Sequence, residues 1–81
     1  MLKAIKNETE AKMLLELFGG EFEDKDGNEF VIIGVPDNSG ILYENIKTNE
    51  EGFKKYHGIF ISEKKYNKLI DKIEEYKLMG Y

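Results

Sequence analysis

From Glu29 to Pro36 the chain reads Glu-Phe-Val-Ile-Ile-Gly-Val-Pro, and every residue from Phe30 to Val35 is apolar or glycine. Four of these residues are β-branched, and the run is too short for a free-standing helix, so it predicts a strand. Alternation sends Phe30 and Ile32 to one face and Val31, Ile33 and Val35 to the other. Both faces therefore want cover, as on a central strand.

The flanking pattern supplies the rest. Asn7 with Glu10 three residues on reads as a helix N-cap and capping box, and Ala11, Leu14, Leu15 and Phe18 follow the i, i+3, i+4, i+7 spacing of an amphipathic helix. Gly19 and Gly20 end it. Residues Met1 to Lys6 form a short extended lead-in at most. Glu21 to Asp24 and Asn28 to Val35 flank an Asp26-Gly27 pair, the strongest local sign of a β-hairpin. Pro36 removes a donor and should end the ladder, and Asp37 to Gly40 form the next turn. Ile41 to Ile46 predicts a third strand. Residues 48–56 read either as a helical turn or, preferably, as a hairpin loop leading into a strand from Phe53 to Ile61. Ser62 caps a final helix whose apolar stripe is Tyr66, Leu69, Ile70, Ile73 and Tyr76, with Gly80 as its stop.

The fold class is thus α+β in a single domain spanning residues 1–81: a small antiparallel meander of about four strands between an N-terminal and a C-terminal helix. Two helices cover about one face of such a sheet. Either they lie on opposite faces, or the second face meets a partner.

Composition narrows the chemistry. With no cysteine, disulfides, thiolate metal centres and cysteine nucleophiles are excluded. No apolar run approaches a membrane span and the N-terminus carries no signal-like segment, so the chain reads as soluble and cytoplasmic, with no membrane partner. The net charge of −4 hides a polarity. Residues 8–51 hold 12 of the 16 acids and three lysines, whereas residues 52–81 hold seven lysines against four acids. All 12 bases are lysine. The lack of arginine argues against sequence-specific reading of nucleic acid, though not against non-specific phosphate contact. The Lys-, Ile-, Asn- and Tyr-rich composition is also that of AT-rich coding, as in small open reading frames of low-GC bacteria and their phages.

Asp24-x-Asp26-x-Asn28 has the 1, 3, 5 spacing of an EF-hand loop, but Glu29 stands where glycine is required and Val35 where a bidentate glutamate belongs, so no metal is expected. His57 and the serines Ser39 and Ser62 have no partners for a metal or catalytic constellation, and no glycine-rich phosphate loop exists. No catalytic residue and no cofactor are expected. Two charged features remain as candidate partner-binding residues. Glu21, Glu23, Asp24 and Asp26, with Glu29, crowd one hairpin, where they either discourage edge pairing or form an acidic prong. Lys64, Lys68 and Lys72 recur at i, i+4 and i+8, with Lys65 beside the first, and lysines near a helix N-terminus want a negative neighbour. Tyr43, Tyr56, Phe53 and Phe60 are placed either for the core or, less favourably, for stacking on bases.

The expected function is therefore a small non-enzymatic interaction module, of the kind carried by phages or mobile elements, that binds a larger bacterial protein and inhibits or modulates it. A homodimer through the second sheet face is the least demanding form of association. The alternative is non-specific nucleic-acid or nucleotide binding through the Lys64, Lys68 and Lys72 face.

Overall fold

The helix ends are set by the residues that mark them. A computed structural model describes residues 1–78, and in it Asn7 starts α1 (Glu8–Phe18) by accepting the Glu10 N–H on its side-chain oxygen at 2.9 Å. Gly19, at φ 71°, closes the helix in the left-handed conformation, and the N–H groups of Gly19 and Gly20 return to the carbonyls of Leu15 and Leu14. Ser62 opens α2 (Glu63–Leu78), its hydroxyl accepting the Lys65 N–H. The expected stop at Gly80 lies outside the described residues.

Between and before the helices run six strands: β1 (Leu2–Ala4), β2 (Glu21–Glu23), β3 (Glu29–Asp37), β4 (Gly40–Asn45), β5 (Glu51–Lys55) and β6 (Phe60–Ser62). They form one antiparallel sheet in the order β1-β6-β2-β3-β4-β5. The α+β class stands, but the expected meander of about four strands does not. The extended lead-in is a true strand, held against β6 by the pairing of Leu2 with Ser62 and Ala4 with Phe60. The expected strand from Phe53 to Ile61 is broken in two by a 3-10 turn at Tyr56–Gly58, which places His57 in that turn. The break has a cause: the Tyr56 ring leaves the ladder for the core, and its hydroxyl donates to the Asp37 carbonyl at 2.7 Å.

That turn also dictates the shape of the sheet. Strand β5 lies at one edge and β6 between β1 and β2, four strand spacings away. At about 4.8 Å per strand a flat sheet would part them by roughly 19 Å, more than the linker Tyr56 to Ile59 spans comfortably. The sheet is curled, and the curl brings the edge round toward β6. Pro36 does not end β3 as expected, because β2 pairs only with Glu29 to Val31 and leaves that part of β3 with a neighbour on one side. The missing donor falls where the ladder to β4 is shifted, between Gly34 and Asp37.

Both helices pack on the same side of the sheet. Ala11, Met13 and Leu14 of α1 and Tyr66 and Leu69 of α2 join Phe22, Phe30, Ile32, Ile41, Ile59 and Ile61 in one core, with Ile5 and Tyr56 closing its ends. On this inner side Phe22 stacks on Phe30 at 5.3 Å and Tyr43 meets Phe30 edge-on at 4.9 Å. The Lys54 ammonium lies over both the Phe30 and Tyr43 rings.

The loop from β4 to β5 settles residues 48–55 as hairpin, with Tyr56 already in the 3-10 turn. The Asn45 N–H donates to the Glu50 carbonyl, the Asn49 N–H to the Asn45 carbonyl, and the Asn45 side chain accepts the N–H groups of Lys47 and Thr48. Asn49 sits at φ 62°, where asparagine and glycine are tolerated and other residues are strained. Asn49→Ala is expected to lower stability by about 1 kcal/mol and Asn49→Gly by almost nothing, measured as shifts in the urea midpoint.

Candidate functional face of the sheet

Since Phe22, Phe30, Ile32 and Tyr43 turn inward, strand alternation turns their neighbours outward, to the side without helices. Register then composes the outer face. Glu21 lies across from Val31, Val31 from Glu44, and Glu44 from Glu51, so one row crosses four strands. Glu23 lies directly across from Glu29. A second row runs Gly34, Leu42, Phe53. There Leu42 is 42% exposed and Phe53 47%, and Ile33 beside them is 50% exposed. The face is therefore half acidic and half apolar.

Among the described residues none of these acids forms an ion pair. The ion pairs there, Lys12 with Glu8 and Lys72 with Glu75, are both on helices. Glu23 with Glu29 and Glu44 with Glu51 set like charges directly opposite one another, an arrangement that weakens a sheet by some tenths of a kcal/mol per pair. Next to Glu23, β2 touches β6 only at the pair Glu23 with Phe60. The two strands diverge from there around a groove of about 360 Å³, lined by Glu21, Glu23 and Glu29, by Phe60 and Ile46, and by Lys65.

The predicted residues thus separate. Glu21, Glu23 and Lys65, distant in sequence, meet at this groove. Asp24 and Asp26 sit in the β2–β3 turn instead. The Asp24 carboxylate accepts from the Asp26 N–H, the Asn28 N–H and the Asn28 side-chain amide, and the Asn28 amide above all holds its pKa below the usual aspartate value. Its oxygens fasten the hairpin, with Gly27 at φ 84° completing the turn. Asp37 does the same for the β3–β4 turn, its pKa lowered by the Ser39 hydroxyl and N–H. Among the described residues no group of three or more His, Asp or Glu side chains is placed to hold a metal ion.

The lysines of α2 differ in their neighbours. Lys65 lies over the Phe18 ring at 5.6 Å, and Lys72 lies over Tyr76 at 5.4 Å and reaches Glu75 at 3.4 Å. Lys64 and Lys68 are exposed, Lys68 beside Leu17 and Phe18 in the groove between the helices. Lys65 and Lys72 thus have aromatic rings as neighbours, whose faces attract an ammonium, while Lys64 and Lys68 are solvated. The four sheet aromatics divide as well: Tyr43 and Tyr56 belong to the interior, and Phe53 and Phe60 to the outer side. No helix among the described residues is long and apolar enough to cross a membrane.

Sequence reasoning missed Glu44 and Glu51. The alternation of strand β4 is masked by the apolar run Ile41-Leu42-Tyr43, which hides the face of Glu44, and a strand expected to start at Phe53 leaves Glu51 in the loop before it. Only the register set by the loop at Asn45 to Glu50 aligns them with Glu21 and Val31.

No protein-family model matches the chain, and no curated protein or solved structure is significantly similar to it.

Proposed function

We propose that this protein is a binding module that presents the outer face of its sheet to a cationic and partly apolar surface of a larger protein, inhibiting or modulating it as small phage accessory proteins do. One observation carries the reading: with both helices on the inner side, a face bearing Glu21, Glu23, Glu29, Glu44 and Glu51 beside exposed Ile33, Leu42 and Phe53 is left uncovered by helices, and among the described residues none of these carboxylates is in an ion pair. The carboxylates steer and orient a basic partner, and the apolar row is buried on contact. Lys64 and Lys68 support a second reading, contact with phosphate, which draws less support because Lys65 and Lys72 are occupied by their own ring neighbours.

The two readings part in one experiment. The tagged chain is used to capture partners from a low-GC bacterial lysate with and without nuclease, alongside Glu23→Lys/Glu44→Lys and Lys64→Glu/Lys68→Glu variants. A protein retained stoichiometrically after nuclease and bound at least about tenfold more weakly by the glutamate variant is the expected result, since reversing two contacting charges costs more than 1.4 kcal/mol. Capture that disappears with nuclease and with the lysine variant, but survives the glutamate variant, refutes the proposal in favour of nucleic acid.

A further inference from the structure

We infer that the free edge of β5 pairs with the same edge of a second copy of this chain, joining two sheets across a two-fold axis at Phe53. This inference stands apart from the reading of the outer face and does not depend on it. Three observations carry it.

The first is the hydrogen-bonding phase of the edge. Asn45 donates to Glu50, and since bonded and non-bonded pairs alternate in an antiparallel ladder, Tyr43 with Gly52 and Ile41 with Lys54 are the bonded pairs of β4 and β5. The N–H and C=O groups of Glu51, Phe53 and Lys55 therefore point away from β4. Among the described residues no backbone bond beyond the ladder satisfies them. Three exposed residues on one edge strand thus offer three donors and three acceptors in phase.

The second is charge. Read along its outward side, β5 is Glu51, Phe53, Lys55. In an antiparallel pair centred on Phe53, Glu51 of each copy faces Lys55 of the other at both ends. Within one copy Glu51 faces Glu44, and Lys55 faces Gly40, so neither has an opposite charge. On the inward side, Lys54 would face Gly52 of the other copy, which has no side chain to obstruct it. Shifting the pair by two residues in one direction sets Lys54 against Lys54. A shift in the other direction sets Glu51 against Phe53. Lysines on an edge strand ordinarily discourage pairing, and among these registers only the one centred on Phe53 sets Glu51 against Lys55 at both ends.

The third is apolar surface. The row Gly34, Leu42, Phe53 stops at this edge with Phe53 about half exposed. Pairing at Phe53 continues it through both copies as an isologous interface, closed at two subunits.

Sedimentation velocity of the full chain over micromolar to millimolar concentrations tests the inference. The expected result is a reversible dimer whose dissociation constant rises at least about tenfold in Glu51→Lys, which sets like charges at both ends of the pair. The combined exchange Glu51→Lys/Lys55→Glu restores opposite charges and is expected to restore the dimer to within about threefold of the starting constant. Circular dichroism confirms that each variant is folded. A wild-type chain that sediments as a monomer throughout overturns the inference. So does a dimer indifferent to Glu51→Lys, or one weakened by it and not rescued by the exchange.

Discussion

Glu10→Ala is expected to destabilise the protein by about 2 to 4 kcal/mol, a large share of the roughly 4 to 12 kcal/mol typical of a chain this size. Glu10 is only 6% exposed. In the sequence it completes a capping box, whose glutamate should return to the N–H of Asn7. In the structure Oε1 accepts the Lys6 N–H at 2.9 Å, and both oxygens accept from the Tyr66 hydroxyl at 3.1 and 3.2 Å. One buried carboxylate thus ties the entry of α1 to the first turn of α2. Alanine would strand a buried hydroxyl as well as a backbone donor. Glu10→Gln, which keeps an acceptor, is expected to cost about 1 kcal/mol less than alanine. A double-mutant cycle with Tyr66→Phe, read from urea denaturation, isolates the link between the helices. A coupling near zero would show that the two side chains merely adjoin.

The same contact sets an alkaline limit. Burial, then the Glu10 charge and the hydrogen bond to it, push the Tyr66 phenol above its ordinary value of 10.0. A phenol that ionises later in the folded chain than in the unfolded one contributes fully below pH 10. That contribution is lost as the pH climbs through the folded value. Stability is therefore expected to fall above pH 10, and less steeply in Tyr66→Phe. Tyr56, raised by burial and then by Glu8 and Asp37, adds to the same slope.

Gly40→Ala is expected to cost about 3 kcal/mol, the upper end for overpacking a well-packed site. A methyl group at Gly40 would collide with the Lys54 carbonyl oxygen and lie 2.7 Å from the edge of the Phe53 ring. The ring can swing away, but the carbonyl belongs to the pairing of Lys54 with Ile41, so the β4–β5 ladder must move. Gly34 provides the comparison, because its added methyl would meet Leu42 at 3.5 Å, an ordinary contact. Gly34→Ala should therefore stay within about 0.5 kcal/mol of the parent. Thermal unfolding of the two variants, together with amide exchange on β5, distinguishes a local loss of the edge strand from global destabilisation. Equal behaviour of the two glycines would refute the steric account.

What the sequence determined by itself were the local features. Asn7, Gly19 and Ser62 mark helix ends because capping bonds reach only three or four residues. Asp24 to Asn28 announces a turn because asparagine, aspartate and glycine satisfy it from within. The run Phe30 to Val35 shows that a strand needs two apolar faces, but not what covers the second. Tertiary structure alone decided which side both helices take and that Tyr56 breaks the last strand to bury its ring. It also decided that the lead-in Leu2 to Ala4 becomes an edge beside β6, and that Glu44 and Glu51 join the hairpin acids on one face. These outcomes depend on pairings between residues far apart in the chain. A strand's neighbours and register are chosen by the burial of the whole sheet, and a side-chain period of two leaves every strand ready to turn either face inward until that choice is made.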